Sequence, residues 1–419
     1  MNTRHTRPLA VLTSLFFMWG LITSLNDILI PHLKAMFSLS YVQAMLIQFC
    51  FFTAYFVVSL PAGRLLQRIG YQRGLIVGLC TVGVGCLLFY PAAALQTYPL
   101  FLGALFVLAS GITLLQVAAN PYVTLLGAPE TASSRLNLTQ AFNSLGATLG
   151  PLVGAATILA SADHAAAATQ SDAVQGPYLV LAAVLFLLAA VVASFKLPDA
   201  RVIERSGHRR GALPDTQGQS LWAYRHLVLG AVGIFTYVGA EVSIGSFLVN
   251  LMNDPLIANL SHEEAGRHLA LYWGAAMVGR LLGSALMQRV RANRVLMVAA
   301  LVNALLIAGA MLAGGHAAMW LLISVGIFNS IMFPTIFSLA LEGLGELTSR
   351  GSGLLCMAIV GGAIVPLAQA LLADHLSLLM SFVVPLTCYV FIAWYGGAGF
   401  RPRVGTSDLH ALPGRPRPH

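Results

Sequence analysis

Long unbroken apolar stretches alternate with short polar clusters along this chain. Twelve of these stretches are long enough to cross a bilayer, which takes about 20 residues each. They cover roughly 9–31, 41–66, 72–94, 99–127, 136–160, 177–196, 226–252, 264–288, 293–314, 317–344, 351–373 and 377–397. Little remains for a soluble domain. The longest polar stretch, Lys196 to Arg225, carries Arg, Asp, Gly, Pro and Gln without apolar periodicity and reads as a linker. It divides the spans six and six. The pattern therefore predicts an all-α membrane protein with a helical bundle over 1–195, a linker over 196–225, a second bundle over 226–398 and a tail over 399–419.

Charge orients these spans. Short loops rich in Lys and Arg stay in the cytoplasm. With a cytoplasmic N-terminus and strict alternation, 20 of the 23 basic residues fall inside, Lys34 and Arg267 fall outside, and Arg280 lies within a span. An error of one span would scramble that split. Both termini are thus expected in the cytoplasm of a plasma membrane, the inner membrane in a bacterium. The formal charge of +8 is a topology signal, so a nucleic-acid partner is not expected. The first span exceeds a signal-peptide core in length, and no small-x-small cleavage site precedes Asn26-Asp27.

Only 9% of the residues are charged, and three charges lie deep in apolar spans: Asp27, Glu241 and Arg280. A charge in hydrocarbon costs at least about 2.5–3.5 kcal/mol, so such residues face a cavity and mark an ion or substrate path. The five cysteines all fall within spans and form no CxxC pair, and no histidine sits mid-span. Helix packing accounts for the cysteines, and neither a metal site nor a histidine relay is expected.

The two halves repeat each other. Gly63-Arg64-Leu65-Leu66 recurs as Gly279-Arg280-Leu281-Leu282, 216 residues on. Asn120-Pro121 has Phe333-Pro334 at an offset of 213, and Asp27 and Glu241 differ by 214. Arg135 and Pro151 are sixteen apart, as are Arg350 and Pro366. Two like bundles joined by a cytoplasmic linker resemble the major facilitator arrangement, whose substrate site lies at the midplane between the halves.

Polar residues within the spans name the candidate cavity. Asn26 and Asp27 lie on the first span, Gln116 and Asn120 one turn apart on the fourth, and Asn137, Gln140, Asn143 and Ser144 on the fifth. Tyr237, Glu241 and Gly245 stack along the seventh, and Asn329 holds the repeat position of Gln116. Neutral amides around two carboxylates suit sugar hydroxyls, with Trp19, Trp273 or Phe328 as candidate faces for the ring. A phosphorylated substrate would need more than one buried arginine. Membrane amides also simply join helices, the reading preferred for Asn120, whereas Gln140 and Asn143 are assigned to the cavity. Asn26, Gln116, Gln140, Asn143, Glu241 and Asn329 form the candidate substrate set, and Asp27 and Glu241 the ion-coupling pair. Arg280 reads as a counter-ion of Glu241 or Asp27, ahead of direct substrate contact.

Several stretches are similar to the fucose–proton symporter family: Phe17-Met18-Trp19-Gly20, Ser24-Leu25-Asn26-Asp27-Ile28-Leu29-Ile30-Pro31, Gln116-Val117-Ala118-Ala119-Asn120-Pro121, and Arg135 through Ser144. Tyr237 through Leu248 and Phe333-Pro334-Thr335-Ile336-Phe337-Ser338-Leu339 resemble its glucose/galactose branch more closely. The resemblance implies inward symport of a neutral monosaccharide, with no cofactor beyond a coupling ion. It also implies an essential role for Asp27. The family's second acid, a fourth-span glutamate, is Gln116 here, while the family's seventh-span glutamine is Glu241. A carboxylate has crossed the cavity, which leaves H+ and Na+ both open as the coupling ion. The expected partners are a small neutral sugar and the lipid bilayer, with a monomer as the working unit.

A competing signal points to a proton-coupled exporter of sugars or drugs. Gly146, Gly150, Pro151 and Gly154 follow the spacing of the fifth-helix motif of drug antiporters. The loop from Gly63 to Gly70 follows the superfamily pattern, with Gln67 where aspartate is usual. Enzyme chemistry is disfavoured: the sequence contains no His/Ser/Asp set, and neither of its two lysines makes a phosphate-loop Gly-Lys pair.

Overall fold

The computed structural model describes residues 3–36, 41–95, 97–154, 172–195, 198 and 220–402, with side chains described for these except at 3–7, 25–36, 41–46, 151–154, 172–174, 177, 262 and 263. The candidate residues Asn26 and Asp27 therefore lie outside the described side chains, as does Pro151. Most of the linker and of the tail lies outside the described residues altogether. In lipid a chain must satisfy its own backbone polar groups, and apolar runs of this length do so as helices.

The first half comprises α1 (Thr3–Met36), α2 (Tyr41–Ile69), α3 (Tyr71–Ala94), α4 (Tyr98–Leu125), α5 (Ala132–Gly154) and α6 (Asp172–Ser194). The second comprises α7 (Arg225–Asn253), α8 (His262–Leu286), α9 (Ala292–Ala313), α10 (Gly315–Asn329), α11 (Met332–Ala340), α12 (Thr348–Met357), α13 (Gly361–His375) and α14 (Val383–Trp394). Among the described residues nine segments are long and apolar enough to span a membrane. The shorter apolar helices Pro8–Ser24 and Tyr178–Ser194, together with α5, complete the twelve. Leu187, Leu305, Leu312 and Leu371 stand exposed on the outer surface, as side chains facing lipid do.

Two spans that read as continuous are in fact broken. The tenth divides into α10 and α11 around Ser330, and the eleventh into α12 and α13 around a 3-10 turn, Ala358–Val360. Pro334 has no N–H to donate to the Ser330 carbonyl four residues earlier, and Pro366 likewise leaves that of Gly362 free. The break in the tenth span falls where its bond is missing, whereas Pro366 lies within α13, just beyond the break in the eleventh. α4 runs straight through Pro121, so the carbonyl of Val117 is freed within an intact helix.

Close packing inside each half uses glycine in equivalent places. A methyl group on Gly146 of α5 would collide with the Phe17 carbonyl of α1, and one on Gly361 of α13 with the Phe235 carbonyl of α7. Gly150 is pressed against Ser24 in the same way. The Gly146–Gly150 spacing that suggested an exporter is thus occupied in seating α5 on α1.

Between the halves, α2 packs on α12 and α5 packs on α8. The sequence repeat exchanges α2 with α8, and α5 with the span of α12 and α13. These are therefore one contact made twice, on opposite sides of a central axis. Gly63 makes the first possible: a methyl there would press on the Ser349 carbonyl at 2.7 Å, and one on Gly353 would meet the Ser59 carbonyl at 2.6 Å.

Candidate functional site

Glu241 sits on the inward face of α7, one turn beyond Tyr237. The Tyr237 hydroxyl donates to Glu241 Oε1 at 2.7 Å. From α10, Asn329 Nδ2 donates to the same oxygen at 3.4 Å and to the Tyr272 hydroxyl of α8 at 3.2 Å. From α14, the Tyr389 hydroxyl donates to Asn329 Oδ1 at 2.7 Å. Four helices thus meet around one carboxylate. Tyr237, Tyr272, Asn329 and Tyr389 are at most 1% exposed, whereas Glu241 is only half-buried. Neutral donors of this kind stabilise an anion held away from bulk water.

Arg280 spends its donors elsewhere. Its Nε donates at 3.1 Å to the Ser330 carbonyl, the one left free by Pro334. Its Nη1 reaches across to α5, donating to the Gln140 carbonyl at 3.3 Å and to Ser144 Oγ. It makes no direct ion pair with Glu241 among the described residues. Arg280 is in this sense a strut between the halves.

The first half carries a smaller version of the cluster. Gln116 Nε2 on α4 donates to the Tyr55 hydroxyl on α2. Gln116 Oε1 and Asn120 Nδ2 are buried without partners among the described residues. Gln140 Nε2 approaches Asn120 Oδ1 at 3.5 Å, the limit of a hydrogen bond. Asn143 Nδ2 donates to the Phe16 carbonyl at 3.0 Å, so part of its capacity joins α5 to α1. The structure thus brings Glu241 and Asn329 into one cluster and Gln116, Asn120 and Gln140 into another, with Arg280 bridging to α5. Trp273, half exposed beside Tyr272 at 5.1 Å between ring centroids, is the candidate aromatic face adjoining the Glu241 cluster.

Below these clusters, hydroxyls and amides stitch the halves together at one end. Ser133 and Ser338 lie 2.5 Å apart, and Ser134 and Ser284 each donate to the other's carbonyl, at 2.7 and 2.9 Å. Asn137 Nδ2 donates to Thr335 Oγ1 at 3.2 Å, and Ser352 Oγ to the Val117 carbonyl freed by Pro121 at 2.8 Å. At the margin Gln67 Nε2 donates to the Glu346 carbonyl at 3.2 Å.

Reading the sequence missed Tyr55, Tyr272 and Tyr389. Tyr55 and Tyr272 are 217 apart, close to the repeat offset, and that spacing offered a signal. Tyr389 lies 60 residues from Asn329 and carries no local mark.

Two pseudo-equivalent bundles that each hold a buried polar cluster define a secondary carrier, and the family model of the Major Facilitator Superfamily matches residues 11–366. The chain belongs to that superfamily. It is 58% identical over 391 residues to a glucose/galactose transporter of Brucella abortus, covering 93% of each chain. It is 33% identical over 416 residues to the L-fucose-proton symporter of Escherichia coli, covering 96% of this chain and 94% of that one. A crystal structure of that bacterium's fucose:proton symporter matches with a TM-score of 0.84 at 31% identity, over 94% of this chain and 98% of the other. A structure of the same transporter in the outward conformation also gives 0.84, at 32% identity, over 94% and 99%.

Proposed function

We propose that this protein imports a neutral hexose of the glucose/galactose kind by alternating access, driven by the proton gradient. The observation that carries this reading is the Glu241 cluster: an acid bonded to one neutral hydroxyl and one amide, matched in the other half by the amide cluster of Gln116, Asn120 and Gln140. The names of the relatives support hexose and proton as the transported pair. Asp27 and Glu241 serve as the coupling acids, and Gln116, Gln140 and Asn143, with Asn26, face the sugar, whereas Asn329, buried with both amide atoms bonded, acts on it through Glu241. With the basic loops inside, the stitched end is cytoplasmic, so the protein is in an outward-facing state, in keeping with its likeness to the symporter in the outward conformation. It works as a monomer in a bacterial inner membrane, with both termini cytoplasmic and no nucleic-acid or cofactor partner.

The test is concentrative uptake of radiolabelled glucose and galactose by cells expressing the protein. Collapse of the proton gradient should abolish accumulation, and removal of sodium should leave it intact. Accumulation that tracks sodium instead would reassign the ion; efflux of preloaded sugar against its gradient would reverse the direction.

A further inference from the structure

Both donors to Glu241 converge on Oε1. Among the described residues Oε2 accepts no hydrogen bond, yet it is not one of the buried polar atoms left without a partner. It therefore opens onto space, in keeping with the half-buried state of Glu241 beside four buried neighbours. Asn329 in turn has no freedom to flip: its carbonyl oxygen takes the Tyr389 hydroxyl, and its nitrogen serves both Glu241 and Tyr272.

We propose that Asn329, locked by Tyr389 and Tyr272, is a positioning residue that clamps Glu241 through Oε1 alone, leaving Oε2 as the one atom of this acid that takes a proton and meets a sugar hydroxyl. This inference rests on the reading of the chain as a proton-coupled hexose carrier. The clamp suits both charge states without rearrangement. In the ionised state Oε1 keeps its two donors, and Oε2 accepts from a hydroxyl of the sugar. When a proton from the outer solution adds to Oε2, Oε1 becomes the carbonyl oxygen of the acid, still matched to the same donors. Oε2–H then donates to that hydroxyl, and the proton leaves to water on the inner side. Protonation thus converts the cavity face from acceptor to donor and disturbs nothing behind it.

Among the described residues, the titratable and charged groups around Glu241 are Tyr237 on its own helix, Tyr272 and Arg280 on α8 and Tyr389 on α14. α10 contributes the neutral Asn329, and α11 has no titratable residue in its sequence.

The experiment is equilibrium binding of galactose and glucose to purified protein across pH, in wild type and in an Asp27→Asn background, so that remaining pH dependence belongs to Glu241. Tyr389→Phe touches neither Glu241 nor the sugar in this arrangement, yet it frees the Asn329 amide. It should move the pH midpoint of binding by about one unit, the size of one lost hydrogen bond to the acid. Tyr272→Phe, which keeps its ring, should shift it in the same sense and decides the matter if Tyr389→Phe does not fold. A residue that merely packs would weaken binding at every pH and leave the midpoint in place. An unshifted midpoint overturns the clamp, as does loss of all pH dependence in Asp27→Asn. Wild-type protein that binds neither hexose, or binds them independently of pH, overturns the underlying reading instead.

Discussion

Gln116 and Tyr55 in the first half and Asn329 and Tyr272 in the second are the same pair of helices holding the same kind of pair, an amide and a phenol. They end differently. Asn329 is bonded through both of its amide atoms and joined to an acid, whereas Gln116 keeps a buried oxygen without a partner. A buried polar group without a partner costs about 1–3 kcal/mol, so such positions persist where something other than stability retains them. The repeat supplied two equal frameworks. One has become a rigid acid holder, while the other keeps spare hydrogen-bonding capacity.

The sharpest break of that comparison is Asp27→Asn. If the first half's acid drives coupling, concentrative uptake should fall to background while sugar exchange persists, as counterflow in vesicles would measure. Wild-type accumulation would leave the second half as the sole ion site. Glu241→Gln comes next. It removes the acid but keeps the shape, and loss of a charge-assisted network should lower sugar affinity or coupling roughly 10- to 100-fold. The exchange Gln116→Glu with Glu241→Gln moves the acid between the equivalent frameworks. Coupled uptake above that of Glu241→Gln alone would show the frameworks to be interchangeable; none would show that Tyr389 and Tyr237 make the second half unique.

Smaller effects lie at the seam. Ser134→Ala with Ser284→Ala deletes two reciprocal bonds at about 1 kcal/mol each, so the balance of states should move roughly 30-fold toward inward opening. Cysteine accessibility on the two sides would record it. The least effect is expected from Tyr55→Phe, a few-fold loss of sugar affinity with no change in the sugar-to-proton ratio, because Gln116 bonds no acid among the described residues. A changed ratio in Tyr55→Phe would merge the two frameworks into one ion path.

Much of this was legible in advance. Apolar runs marked twelve spans because lipid demands length and composition more than pattern. Constant offsets exposed the repeat, which placed Asn329 opposite Gln116 before any contact was known. What resisted was whatever depends on which face of an apolar helix turns inward, since lipid and core are equally apolar. Tyr389 on α14 and the serines at 133, 134, 284 and 338 look like any other residues of their helices. The break at Ser330 was foreshadowed by Pro334, yet its use as a socket for Arg280 was not, because that guanidinium read as a partner for an acid.

The two proline-freed carbonyls carry a last consequence. Val117 O has no helical donor to return to once Ser352 withdraws, so water entering the vestibule must solvate it. The same holds for the donors of Arg280 that now rest on α5. Each passage to the inward state therefore takes up water, and each return releases it. Solutes excluded from the vestibule oppose that uptake, so turnover should slow with osmolyte added on the cytoplasmic side, a lever independent of the sugar and of the ion.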